Sequence, residues 1–159
     1  MAISDFYAST VIEVRAYFGF DQFDCDPKDI STALKIEADE ILRKGEKRQL
    51  RNGDEIENTS NSWTIESNSS SKDINDHLRE LLKRLEGREK MIEQHFGKPC
   101  FSILWKGNYL YAGSGPFYES EVLRSIANFG AELWQDIYQI DQSDDEIENK
   151  SEFKRIPKC

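Results

Sequence analysis

Histidine and cysteine are scarce in this chain: two and three, respectively, in 159 residues. His77 and His95 stand 18 positions apart by numbering, with no cysteine or acid at a recognised ligand spacing around either. Both read as residues on a helix surface or at a helix end. Cys25, Cys100 and Cys159 are odd in number and far apart, which suits reduced thiols better than a disulfide framework or a zinc site. No apolar run approaches the roughly 18 residues a membrane span needs. A basic segment followed by an apolar one, the mark of a secretory leader, is also missing from Met1 to Asp24. The expectation is therefore a cytoplasmic protein with no membrane contact.

Positive charge is also in deficit. Twenty-one Lys and Arg face 30 Asp and Glu, for a formal net charge of -9 and a pI near 4.8. Such a field repels nucleic acid and attracts basic partners. Hydrophobic residues make up 38% of the chain, enough for one core at this length, since a domain of this size buries roughly 70% of its unfolded surface.

Two stretches share one pattern of strand, loop, capped helix and further strand: Thr10 to Leu34, with Asp26-Pro27 at the helix start, and Pro99 to Ile140, with Ser120-Glu121 there. In the first, Ile12, Val14, Ala16, Phe18 and Phe20 alternate with Glu13, Arg15 and Tyr17, the period of a half-buried strand. Asp26 caps the next helix, and Pro27 fits the first turn, where its missing N–H would go unpaired anyway. Lys35 to Asn61 is an irregular connection with one edge strand and turn signals at Gly45 and Asn52-Gly53. A short strand holds Trp63 and Ile65. A helix comes next, with Ser70 and Asp73 as a capping box and Ile74, Leu78, Leu81, Leu82 and Leu85 as its stripe.

Gly87 divides that helix from a shorter one, Arg88 to Phe96. Phe101, Ile103 and Trp105 alternate in a strand, Gly107-Asn108 suits a hairpin turn, and Tyr109 to Ala112 runs back. The last helix buries Val122, Leu123 and Ile126 and stops at Gly130, before a final strand from Leu133 to Ile140. These elements predict an α+β domain over residues 1–140, built from two β-α-β-like units: a single mixed, mostly antiparallel sheet with helices packed mainly on one face. Residues 141–159, acidic and then basic, predict a disordered tail.

Asp26-Pro27 with Ile30 and Leu34, the Lys44-Gly45-Glu46 turn, Trp63, the leucine-rich helix, and Leu123, Ile126, Gly130 and Ile137-Tyr138 together resemble the bacterial family filed as domain of unknown function 4279. The resemblance spans about Thr10 to Ile140, with Ala38 where many relatives carry proline. It implies a small cytosolic protein with no established catalytic residues, so no functional residue is carried over.

Asp21, Asp24, Asp26 and Asp29 crowd one loop, but a calcium loop starting at Asp24 would have Asp29 where glycine is needed and Lys35 where the bidentate glutamate belongs. Cys100 and Ser114 lack an adjacent base, and Gly113-Ser114-Gly115 precedes acids that oppose an anion. The reading is accordingly of no catalytic residue, no metal and no cofactor. A binding protein is the first hypothesis, in its sharpest form an immunity-type protein that neutralises a basic toxin domain. Its contact would comprise Asp21, Asp24, Glu37, Asp39 and Glu40 with the aromatics Trp63, Tyr118 and Trp134. A self-associating regulatory or scaffold domain, as a homodimer, is the second. A small-ligand or metal-dependent enzyme using loop 21–29 is the third.

Overall fold

A computed structural model describes residues 11–108 and 115–140. The first strand, β1 (Val11–Asp21), is the centre of a five-stranded sheet ordered β2-β5-β1-β6-β7. Its other members are β2 (Glu40–Leu42), β5 (Ser62–Glu66), β6 (Pro99–Asn108) and β7 (Glu132–Ile140). Every pairing is antiparallel except β6 with β7. Since β1 opposes β5 and β5 opposes β2, β1 and β2 run the same way with β5 inserted between them. The α+β class with a mixed, mostly antiparallel sheet is as the sequence predicts. A second, two-stranded sheet of β3 (Lys47–Gln49) and β4 (Glu55–Glu57) comes in addition.

Among the described residues four helices cover one face: α1 (Pro27–Leu34), α2 (Ile74–Leu85), α3 (Glu89–His95) and α4 (Ser120–Asn128). Ile30 and Leu34 from α1, Leu78 and Leu81 from α2, Ile92 from α3 and Ile126 from α4 join Phe18, Trp63, Phe101 and Ile103 of the sheet in one core. Phe18 is the hub, with its ring 4.9 Å from Phe101 and 5.2 Å from Phe20. Trp63 is fully buried, and its indole N–H donates to the Ser31 hydroxyl at 2.9 Å, which ties β5 to α1. Two glycines give room: a Cβ on Gly107 would run into the Trp105 ring, and one on Gly19 would meet the Trp63 carbonyl oxygen at 2.6 Å. Gly107 lies inside β6, paired with Val11 on one side and Gln139 on the other, and not in a hairpin turn.

The start of α1 follows capping physics. Asp26 accepts from the Lys28 N–H at 2.8 Å, and Pro27 is in the first turn. Arg88 donates to the Leu34 carbonyl at 2.5 Å and to the Arg84 carbonyl at 3.0 Å, a cation at two helix C-termini. Gly87, at φ +78, separates α2 from α3, and Gly130, at φ +64, lies just past α4.

Several expectations are corrected. Ile12 is 45% exposed because the β1–β6 register shifts between Val11 and Glu13, a bulge that turns it out of the core alternation. Leu123 is also exposed. Asp73, not Ser70, caps α2, accepting from the Asn75 N–H, and no side chain caps α4. His77 is buried, not on the helix surface. Cys100 is disulfide-bonded, whereas Cys25 is a free thiol, so the expectation of reduced cysteines fails at Cys100. Tyr109 to Ala112, Ser114 and the tail from residue 141 lie outside the described residues, as does Cys159. No helix among the described residues is long and apolar enough to cross a membrane.

Candidate functional site

The loop after β1 places its acids at the start of α1, where the helix dipole favours them. Asp26 is committed to the cap. Its carboxyl is held below the usual range, first by the Lys28 N–H and then by Arg43, whose guanidinium is 3.2 Å away. Asp21 ends β1 half-buried, with the Ser60 hydroxyl donating to it at 3.5 Å. Asp24 is exposed in the loop.

The other acids do not join this group. Glu37 lies beyond the far end of α1, a helix of eight residues and therefore about 12 Å long. Asp39 has a structural duty, since its carboxylate accepts from the Glu66 N–H at 2.7 Å and its own N–H donates to the Thr64 carbonyl at 2.9 Å. Glu40 is half-buried in β2. Among the described residues no three His, Cys, Asp or Glu side chains are placed to share a metal ion.

The aromatic candidates divide as well. Trp63 is sealed in the core and offers nothing to a partner. Tyr118 is half-buried against the core with its hydroxyl enclosed and unpartnered, and burial pushes its phenol up. Trp134 alone of the three is exposed, at 46%.

The surroundings of Trp134 are more informative than the acidic loop. Strand alternation puts Glu132, Trp134, Asp136 and Tyr138 of β7 on the sheet face away from the helices, in register with Cys100, Ser102, Leu104 and Lys106 of β6. Towards the centre of that face Tyr17, Ser102 and Leu104 are buried. Exposure concentrates on β7, where Tyr138 is 41% exposed. The Trp134 indole N–H donates to Glu132 at 3.0 Å, and Glu132 also pairs with Lys98, which holds its carboxyl low. Further across the same face Arg15 pairs with Glu13 at 2.7 Å and with Glu66 at 3.6 Å. Two exposed rings set among carboxylates thus form the β7 flank. The signal that could have found Tyr138 is its spacing of four from Trp134, which in a strand means the same face.

A shallow groove of about 290 Å³ runs between α2 and α4, with Leu82 and Phe129 as its apolar part and Lys83, Glu86 and Glu89 at its rim. Within α2, His77 has Nε2 2.8 Å from the Ser71 carbonyl oxygen, so that nitrogen carries the donated proton, while Nδ1 is buried without a partner. Neither place gathers the acids named above.

A family model described as domain of unknown function (DUF4279) matches residues 12–140. No curated protein and no solved structure matches the chain.

Proposed function

We propose that this chain, which belongs to the DUF4279 family, works as a binding protein that receives a basic protein partner on the exposed β7 margin of the sheet face away from the helices. The observation that carries this is the exposed pair Trp134 and Tyr138 lying among Glu132 and Asp136 on one face. Aromatic rings supply contact area at low entropic cost, and a rim of one charge sign steers a partner of the other. The net charge of -9 extends that steering over the whole molecule. Neutralisation of a basic toxin domain, the immunity-type role, is the specific case favoured, because such domains pair positive charge with a need for tight capture.

The test is affinity capture from the cell that makes the chain, then purified binding to the basic protein recovered. Trp134→Ala with Tyr138→Ala should weaken that binding by about tenfold or more, corresponding to about 1.4 kcal/mol per decade. Raising salt should weaken it further, and if the partner is a toxin, co-expression should restore growth. A partner whose affinity ignores both the double substitution and ionic strength would show the reading to be wrong.

A further inference from the structure

Strand β7 is nine residues long and is paired along one side only, with β6. Among the described residues its other edge meets no strand, so backbone donors and acceptors there await a strand. Apolar groups stand open on both flanks of this edge. Trp134 and Tyr138 lie on the face away from the helices, and Ile137 lies on the helix-covered face. A strand added here would pair its backbone with this edge and set its own side chains beside those on both flanks.

The charge pattern says which strand fits. A second copy of the same edge must be self-complementary about a two-fold axis. With the axis at Asp136, that carboxylate would face its own copy, and with the axis at Trp134, Glu132 would face Asp136; like charges directly opposite are destabilising. With the axis at Ile137, Glu132 and Leu133 would run past the end of β7. The axis at Gln135 avoids all three faults. It sets Trp134 against Asp136 and Glu132 against Tyr138 on the open face, and Leu133 against Ile137 on the other.

We infer that two copies of this chain pair antiparallel along β7 about Gln135, joining their sheets edge to edge. Such a dimer is independent of the proposed basic partner, because the open face of Trp134 and Tyr138 persists in the joined sheet. It is tested without any partner present. Sedimentation equilibrium of the full chain at tens of micromolar should report twice the 18.5 kDa chain mass. Ile137→Lys, at a position open enough to spare the fold, should weaken the dimer by about tenfold or more with an unchanged circular dichroism spectrum. In a Cys25→Ser background, Gln135→Cys should cross-link on mild oxidation, because a two-fold axis brings its copies together, and Asp136→Cys should cross-link far less. Salt should tighten this contact between two like-charged chains, opposite to its effect on a basic partner. A single-chain mass throughout the micromolar range, or a dimer indifferent to Ile137→Lys and not cross-linked through Gln135→Cys, would overturn the inference.

Discussion

Asn75 uses its amide completely. Its Nδ2 donates to Asp73 at 2.8 Å and to the Phe117 carbonyl at 2.9 Å, while its Oδ1 accepts from the Glu119 N–H at 2.9 Å. The start of α2 and the approach to α4 are thereby one unit, reinforced by the Arg79–Glu119 ion pair. Asn75→Ala leaves buried groups unpaired and is expected to cost about 1–3 kcal/mol in urea unfolding. Asn75→Asp should fare little better, because a carboxylate cannot donate to the Phe117 carbonyl. Tyr17 makes a pH prediction. Burial, with help from Glu66, pushes its phenol up to about 12. An unfolded tyrosine ionises near 10, so above that pH the unfolded chain releases a proton that the folded one keeps. Stability from this group is complete below about pH 10 and is lost as the pH rises through about 12. Tyr17→Phe should flatten that alkaline decline; an unchanged slope would contradict the assignment. None of this is readable in the sequence: Asn75 is one polar residue beside an apolar stripe, and Phe117 and Glu119 are over 40 positions away.

Elements are legible where their causes are local. The α1 cap needs only Asp26, Pro27 and the residue after them, and the break between α2 and α3 needs only a glycine. Alternation likewise exposes β1 and β6. It fails at Ile12, since a bulge is a relation between two strands and one strand alone carries no sign of it. The β3–β4 hairpin is foreshadowed only by Asn52-Gly53, because strands of three residues are too short to show a period. That hairpin forms its own sheet, with exposed side chains at four of its six strand positions. Its amides should exchange through local opening, orders of magnitude faster than those at Phe18 in β1. Hydrogen exchange by NMR decides this, and equal protection at Arg48 and Phe18 would refute it.

At the scale of the whole molecule, strand order is the part that local patterns cannot carry. The two β-α-β-like stretches look alike in sequence, yet in one the parallel strands β6 and β7 are neighbours while in the other β5 separates β1 from β2. The difference arises from β5, a strand that begins at Ser62, well downstream of the end of α1 at Leu34. The candidate contact set disperses for a more local reason: Asp24 and Glu37 are close in number but belong to opposite ends of α1. Trp63 and Trp134 look equivalent as strand tryptophans, but Trp63 stands on the helix-covered face of an inner strand, whereas Trp134 stands on the opposite face of a strand at the margin.

The central position of β1 bears on biosynthesis. Its partners are residues 62–66 on one side and 99–107 on the other, so the ribosome releases the middle of the sheet first and its two neighbours only much later. Until β6 has left the exit tunnel, the nascent chain holds a strand containing Phe18 and Phe20 with at most one side occupied. Protection by chaperones during translation is the burden this topology imposes.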